Sequence, residues 1–209
     1  MHELPPSLKK GYLESNYVSK TVKDKNGDLW VSTLNKGLYK STYREGRRDF
    51  TPYVLPANSE IQLNRITELL VDDNNNLWLD SYNNNNNIIR LNIASGEITS
   101  FTDNTGSPIG VIDDSCLFGD DLWIASPNGI FKWNEKAGNF DKITDLGIHV
   151  KGIVADDNFV WITGYSNIYQ YDIKKDLTKK IPSYLFRDIK FSRKGYKDNK
   201  GRIFFNSLD

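Results

Sequence analysis

Amide and phenol side chains recur in four short polar segments of the chain. Asn side chains donate and accept hydrogen bonds and a Tyr ring can stack on a sugar, so such segments could bind a polyhydroxylated ligand. The second segment, Tyr82 followed by five Asn residues, is longer than a turn requires and is the best single candidate. Asn also suits tight turns, and that plainer interpretation stays open. The candidate binding residues are Asn35, Lys36, Tyr82, Asn83, Asn84, Asn128, Tyr165 and Asn167.

Other chemistry receives little support from the residues. The chain has two histidines, His2 and His149, and one cysteine, Cys116, with no His-x-x-x-His, Cys-x-x-Cys or Gly-x-Gly-x-x-Gly motif. We therefore predict no catalytic residue, no metal site and no cofactor. Asp72 and Asp73 lack the alternating spacing of a calcium loop, so we expect them to hold a turn. Cys116 lies in an apolar predicted strand and is expected to be a small core residue.

Charge and hydropathy exclude further classes. Lys and Arg total 27, as do Asp and Glu, which gives a formal net charge of zero. Nucleic-acid-binding proteins usually carry a basic excess, so we predict no nucleic-acid partner. No apolar stretch approaches the roughly 18–20 residues that span a bilayer. The first residues also lack the pattern of a signal peptide. We therefore expect no membrane contact from this segment.

A ring that follows an Asp-, Asn- and Gly-rich turn recurs five times and indicates the elements that position these segments. Successive rings are 48, 45, 38 and 43 residues apart. A period in the low forties is typical of a β-propeller, in which each repeat is one four-stranded blade. Because the rings recur at one place in every repeat, we interpret them as blade-to-blade contacts and not as sugar platforms. The rings are Trp30, Trp78, Trp123, Trp161 and Phe204.

The sequence predicts a single all-β propeller domain over residues 1–209 with about four and a half blades. The blades are expected at about residues 16–55, 61–102, 107–144, 148–182 and 186–209. Residues 1–15 offer at most one short strand, which is too little to finish the fifth blade. An open blade edge favours aggregation. We therefore expect an incomplete propeller that pairs with a second copy or with further blades of a longer parent chain.

The first and last repeats resemble the two-component regulator propeller repeat, whose pattern is Leu-Pro-Ser, then Val-x-x-Ile, then Asp-x-x-Gly-x-Leu-Trp-Ile-Gly-Thr and Gly-Leu. Phe204 in place of Trp, Asp80 after Trp78, and the Asn run in the second repeat depart from that pattern. These departures leave the fold unchanged and indicate a divergent set of repeats. The matching segments are Pro5–Leu8, Asn16–Ser19, Asp24–Thr33, Gly37–Leu38, Ile181–Tyr184 and Asp198–Phe205.

Repeats of this family form the extracellular or periplasmic sensor regions of hybrid two-component systems in gut Bacteroidetes. The resemblance implies a non-enzymatic, periplasmic propeller that binds an oligosaccharide, or that dimerises to relay a signal across a membrane. Two alternatives stay open. A lyase similar to virginiamycin B lyase would need a base and a metal on one face, which the low His content disfavours. A protein-interaction scaffold similar to WD-repeat propellers would need neither.

Overall fold

A computed structural model describes residues 12–15, 17–55, 59, 61–80, 88–103, 105–119, 121–182, 185 and 189–207. Every named element in these residues is a β-strand. The chain divides into two compact units, Met1–Ser100 (unit 1) and Phe101–Asp209 (unit 2).

Unit 1 contains two antiparallel four-stranded sheets, and the strands of each sheet follow one another in chain order. The last strand of the second sheet ends one residue past the unit boundary. Sheet 1 consists of β1 (Val18–Lys23), β2 (Leu29–Thr33), β3 (Leu38–Arg44) and β4 (Arg47–Pro52). Sheet 2 consists of β5 (Leu69–Val71), β6 (Asn76–Asp80), β7 (Ile88–Asn92) and β8 (Ile98–Phe101).

Unit 2 repeats this arrangement in sheets 3 and 4 and adds the two-stranded sheet 5. Sheet 3 consists of β9 (Asp114–Phe118), β10 (Asp121–Ser126), β11 (Gly129–Asn134) and β12 (Asn139–Thr144). Sheet 4 consists of β13 (Val150–Ala155), β14 (Phe159–Gly164), β15 (Ile168–Asp172) and β16 (Leu177–Lys180). Sheet 5 consists of β17 (Phe191–Lys197) and β18 (Ile203–Ser207).

The five sheets confirm the predicted all-β architecture of about four and a half blades. The strands of each sheet fall inside one of the five predicted blade ranges. The single-domain assignment stays a prediction. The sequence also predicts strands at 109–112 and at 66–71, because these segments are rich in apolar residues, and the structure differs at both. The segment 109–112 is not a strand, because Gly110 has a φ of 98° that an extended strand cannot contain. The first strand of sheet 2 begins at Leu69 and not at Ile66, because the preceding N–H groups bind a side chain, as described below.

The turn between the first two strands is organised by one aspartate. In sheet 1, Asp24 Oδ1 accepts the backbone N–H groups of Asn26 and Asp28, both at 2.9 Å. Gly27 follows with a φ of 88°, and Asn75 takes the same place in sheet 2 with a φ of 60°. Asn tolerates the left-handed region better than most residues. Asn75 therefore takes the place of the usual Gly in this turn, and the turn keeps its conformation.

The core lies between the faces of neighbouring sheets within each unit. In unit 1, Trp30 of sheet 1 clusters with apolar residues of sheet 2. In unit 2, Trp123 of sheet 3 clusters with apolar residues of sheet 4. Trp30 and Trp123 are each 1% exposed. The interpretation of these two rings as contacts between blades is confirmed. Cys116 is half-buried and packs against the unit 2 core, close to the predicted core position.

The first strands of neighbouring sheets lie side by side, so these strands link the sheets of a unit. In unit 1, β1 lies against β5, and in unit 2, β13 lies between β9 and β17. Buried polar groups join them: Ser19 Oγ donates to Ile66 O at 2.5 Å, and Ile153 N donates to Asp114 Oδ2 at 2.9 Å. Satisfying these buried groups fixes the position of one sheet on the next.

Candidate functional site

The loop between β2 and β3 presents Asn35 and Lys36, two of the candidate binding residues, to solvent. Thr33 Oγ1 donates to Gly37 O at 2.8 Å and accepts the backbone N–H of Lys36 at 3.0 Å. Asn35 Oδ1 accepts the hydroxyl of Ser15 at 2.5 Å. The side-chain oxygen of Asn35 therefore accepts a hydrogen bond within the protein, whereas the Lys36 side chain is exposed on a loop that hydrogen bonds hold in place.

The loop that follows β6 contains Tyr82, Asn83 and Asn84, and these residues lie outside the described part of the chain. The strand before it ends at Asp80, which is buried. Asp80 Oδ1 accepts the backbone N–H groups of Thr67 and Glu68, both at 2.7 Å, and its Oδ2 accepts the Thr67 hydroxyl. These bonds occupy the N–H groups that a longer β5 would need, so β5 starts late.

Burial sets the protonation of this carboxyl. Desolvation raises the pKa of Asp80 and outweighs the hydrogen bonds from Thr67 and Glu68, which favour the charged form. Glu68 is also buried, and Lys20 forms an ion pair with it. The candidate loop of sheet 2 thus comes directly after Asp80 in the chain, and Asp80 belongs to a buried polar cluster with Thr67 and Glu68.

The loop between β10 and β11 holds Asn128 at the surface. Asn128 Nδ2 donates to Pro108 O at 3.0 Å, and its backbone N donates to Ser126 Oγ at 3.1 Å. The Ser126 hydroxyl in turn donates to Ile109 O. One amide N–H of Asn128 therefore stabilises the loop, and the side chain keeps a second donor and a carbonyl oxygen for a ligand.

The loop between β14 and β15 exposes Tyr165 and half-buries Asn167. Tyr165 is 48% exposed, and Lys190 Nζ lies 5.9 Å from its ring centroid. The backbone closes the loop, since Gly164 N donates to Asn167 O at 2.9 Å. The Tyr165 ring has an open area for stacking, which is the property that a sugar-binding platform needs.

The two candidate loops of unit 2 lie at the same end of their sheets. His149 precedes β13, Asp113 precedes β9, and His149 Nδ1 lies 3.4 Å from Asp113 Oδ2. Because β10 and β14 run antiparallel to these first strands, the loops that follow them share that end. The described hydrogen bonds of Asn128 and Asn167 stay within each residue's own sheet and its approach segment. The two loops therefore lie at the same end of adjacent sheets, but no described hydrogen bond of Asn128 or Asn167 connects them.

A metal-dependent base would need more groups than this end supplies. His149 meets one carboxylate, Asp113, and its side chain is largely exposed. Within the described ranges, His, Cys, Asp and Glu form no group of three or more that could hold a metal ion. A helix with the length and hydropathy to span a bilayer is not found in the described residues.

Sequence reasoning missed the partner of the Trp side chain. In sheets 1 and 2 the indole N–H donates to the aspartate that organises the turn: Trp30 Nε1 lies 2.9 Å from Asp24 Oδ2, and Trp78 Nε1 lies 2.7 Å from Asp72 Oδ2. The signal was the spacing between aspartate and ring, which is six residues in sheets 1, 2 and 5 and five residues in sheet 4. In sheet 5 the ring is Phe204, which has no N–H.

In sheet 5 the Asp198 oxygen that does not accept the turn N–H groups pairs with a cation instead. Arg202 Nε donates to Asp198 Oδ2 at 2.7 Å, and the Arg202 guanidinium carbon lies 5.5 Å from the Phe204 ring centroid. Burial alone would raise the pKa of Asp198, but the backbone N–H and guanidinium of Arg202 outweigh it and lower that pKa. The arginine thus replaces the missing indole N–H.

A cation also lies over the ring in three sheets. Lys40 Nζ lies 5.3 Å from the Trp30 centroid, and Lys132 Nζ lies 5.2 Å from the Trp123 centroid. In sheet 2 the guanidinium of Arg90 is 5.5 Å from the Trp78 centroid. Each cation pairs with its ring across the second and third strands. These three Trp residues are exposed by 3% or less, so their rings are closed to a ligand.

Residues 12–35 match the two component regulator propeller repeat. The resemblance expected from the sequence is confirmed. The matched repeat contains β1, the Asp24 turn and β2. No curated protein matches the chain at a significant level.

Solved structures from B. thetaiotaomicron share the fold. The extracellular domain of the putative hybrid two component system BT3049 has a TM-score of 0.74 at 17% identity, covering 99% of this chain and 29% of that chain. The extracellular domain of the putative one component system BT4673 has a TM-score of 0.58 at 16% identity, covering 95% and 32%. The chain thus spans about a third of the length of these structures.

Proposed function

We propose that the chain is part of a non-enzymatic, ligand-sensing β-propeller of the kind found in two-component systems. The observation that supports this most is the regulator propeller repeat at residues 12–35. The repeated Asp, Trp and cation residues serve the fold, which leaves the loops for recognition. By analogy with the extracellular domains that share its fold, the chain acts in the periplasm or outside the cell. Association with further blades or a second copy would complete the sensor.

The proposed ligand is an oligosaccharide bound by the loops between second and third strands. An exposed ring, free amide groups and a lysine are the groups that recognise sugars by stacking and hydrogen bonding. Tyr165 offers the exposed ring, and Asn128 and Lys36 are exposed, with an amide donor, an amide oxygen and an ammonium group that have no partner among the described residues. Tyr82, Asn83 and Asn84 extend this set in the long loop of sheet 2.

A glycan array with the 209-residue chain tests the proposal. We expect selective binding of one oligosaccharide class, and Tyr165→Ala should weaken it about two- to tenfold, because an aromatic stacking contact is worth about 0.5–1.5 kcal/mol. Tyr43→Ala is the matched control, since Tyr43 is 65% exposed but lies in the β3 strand away from these loops. Chromatography of the bound glycan should give no cleavage product.

Two results would reject the proposal. If the Tyr165 and Tyr43 variants lost the same glycan affinity, the loops would not form the binding site. The oligosaccharide would be rejected as ligand if the natural chain gave no signal on the glycan array and the variant with Asn83 and Asn84 replaced by Ala gave the same result.

A further inference from the structure

A cavity of about 360 Å³ lies inside unit 2, where the first strands of sheets 3, 4 and 5 end. Its described walls come from β9, β13 and β17 and from the turn after β17. These strands are neighbours, since β13 lies between β9 and β17. Ligand sites usually measure about 300–1,000 Å³, so a cavity of this volume suits a small molecule of about one sugar ring.

The cavity exists because the middle strand ends in a small side chain. Ala155, the last residue of β13, contributes only a methyl group to the wall. Phe118 of β9 packs against the core that sheet 3 shares with sheet 4. Lys197, the last residue of β17, approaches from the other side, and its Nζ lies 4.5 Å from the Phe118 ring centroid. The Lys197 side chain thus reaches from sheet 5 to sheet 3 across the end of sheet 4.

The ammonium group of Lys197 lies at this cavity without a counter-ion. In the part of the chain that the structure describes, Lys197 Nζ meets the Phe118 ring and no carboxylate or other acceptor oxygen. A cation over a ring still has N–H donors for a further acceptor. Lys197 is half-buried, and burying an unpaired cation costs free energy. An anion bound in the cavity would offset that cost.

The other ionisable groups of the wall do not supply this anion. Asp198 Oδ1 accepts the backbone N–H groups of Lys200 and Arg202, both at 2.9 Å, and its Oδ2 lies 2.7 Å from the Arg202 guanidinium. Burial raises the pKa of the Cys116 thiol to about 12, so this side chain is neutral near pH 7. The described wall therefore keeps one uncompensated positive charge, which favours an anionic ligand.

Backbone carbonyl groups along the edge of β13 add hydrogen-bond acceptors. Asp156 N donates to Phe159 O of β14 at 2.8 Å. Because bonding groups alternate along an antiparallel ladder, the N–H and C=O groups of Ile153 and Ala155 point away from β14. Ile153 N shows this direction, since it donates to Asp114 Oδ2 of β9 at 2.9 Å. Carbonyl oxygens accept from hydroxyl groups, so this edge suits a ligand with several hydroxyl groups.

We propose that the cavity binds a small hydroxylated carboxylic acid of about one sugar ring, that is, a sugar acid. Its carboxylate pairs with the Lys197 ammonium group, and its hydroxyl groups donate to the carbonyl oxygens of Ile153 and Ala155. The cavity lies where the first strands end, whereas the loops after β10 and β14 lie where the first strands begin. The site is therefore separate from the proposed oligosaccharide loops, and either proposal can fail without the other.

Titration of glucuronate and of galacturonate into the 209-residue chain, followed by heteronuclear NMR, tests the proposal. The two acids differ in the configuration of one hydroxyl group, and at least one of them should bind saturably. The amide signals of Ala155 and Lys197 should shift with occupancy, whereas that of Tyr165 should not.

Matched small molecules test the two halves of the ligand. Glucose and galactose lack the carboxylate and should bind about tenfold more weakly than the acids, because they cannot pair with the ammonium group. Acetate has the carboxylate but no hydroxyl group and should also bind more weakly. Both comparisons use the natural chain, so they do not depend on the folding of a variant.

Two lysine variants locate the site. Lys197→Gln removes the charge but keeps a long side chain, and it should weaken binding of the acid about tenfold. Lys200→Gln is the matched control, because Lys200 is exposed in the same turn and does not line the described wall. This control should bind the acid as tightly as the natural chain does. Thermal unfolding of both variants shows that each is folded.

Three outcomes would overturn the proposal. The first is the absence of a saturable shift at Ala155 and Lys197 with both acids. The second is equal affinity for the acids and for either the neutral sugars or acetate. The third is an equal loss of affinity in the Lys197 and Lys200 variants, which would show a general effect of charge and not a site.

Discussion

At the scale of residues, the repeated unit is a carboxylate that serves two purposes. One oxygen of Asp24 accepts the turn N–H groups, and the other accepts the indole N–H of Trp30. Trp123 departs from this arrangement: its Nε1 is buried and has no hydrogen-bond acceptor among the described residues. The turn before Trp123 is short, because the preceding strand extends to Phe118, five residues before the ring. The position six residues before the ring therefore lies in that strand and is not a turn aspartate.

This difference predicts unequal effects of the same substitution. Trp30→Phe leaves a carboxylate oxygen of Asp24 without its buried donor, whereas Trp123→Phe removes a donor that has no acceptor. The free energy of unfolding should therefore fall by about 1–3 kcal/mol more for Trp30→Phe than for Trp123→Phe. Urea denaturation of the two variants and the natural chain measures this difference. Equal losses would show that the Asp24 bond contributes nothing beyond ring packing.

The buried Asp80 carboxyl predicts a dependence on pH. Burial raises the pKa of Asp80 above its ordinary value of 3.8, so folding favours the protonated form. Its contribution to stability is fully present below the unfolded pKa and is lost as pH rises through the folded pKa. Asp80→Asn cannot lose a proton. The stability of this variant relative to the natural chain should therefore rise between pH 3 and pH 7, as measured by urea denaturation at each pH.

Asp198 provides a control of opposite sign. Its folded pKa is lowered, so its contribution is present above the unfolded pKa and is lost as pH falls through the folded pKa. Asp198→Asn should therefore lose more stability relative to the natural chain at pH 7 than at pH 3. The same slope for both variants would contradict the assigned pKa directions.

At the scale of elements, the β2–β3 loop depends on one close backbone approach. Gly37 has a φ of 74°, and a Cβ atom there would lie 2.2 Å from Leu63 O. Both the conformation and the contact exclude a side chain. Gly37→Ala should therefore destabilise the protein by more than about 3 kcal/mol, because the Leu63 segment and its core contacts must shift.

Gly46, in the β3–β4 turn, separates the two causes. Its φ is 80°, but apart from its chain neighbours no atom of the described residues lies within 4 Å of an added Cβ. Gly46→Ala should cost only about 1–2 kcal/mol, which is the price of the left-handed conformation for an L-residue. Thermal unfolding of both variants measures the difference. Similar losses at the two positions would show that the Leu63 contact relaxes freely.

At the scale of the whole molecule, the sequence predicted the number and order of sheets because the ring period reports a repeated backbone unit. It could not predict the start of β5, because the Asp80 carboxylate binds two N–H groups that alternation alone assigns to a strand. It also missed Lys40 and Lys132 as ring covers, since this contact depends on cross-strand register. The loop candidates stay predicted as ligand-binding residues, and of these Asn35, Lys36, Asn128 and Tyr165 are exposed whereas Asn167 is half-buried.

The pairing of Asp198 with Arg202 has a consequence for how such repeats diverge. Backbone N–H groups hold the aspartate in its turn whichever ring follows, so the acceptor persists while the donor is exchangeable. A repeat can then pass from tryptophan to phenylalanine if arginine first appears two residues before the ring. Along that mutational route every intermediate keeps its carboxylate paired. A sequence signature built on the aspartate and its turn would recognise sheet 5, whereas one that demands tryptophan would pass over it.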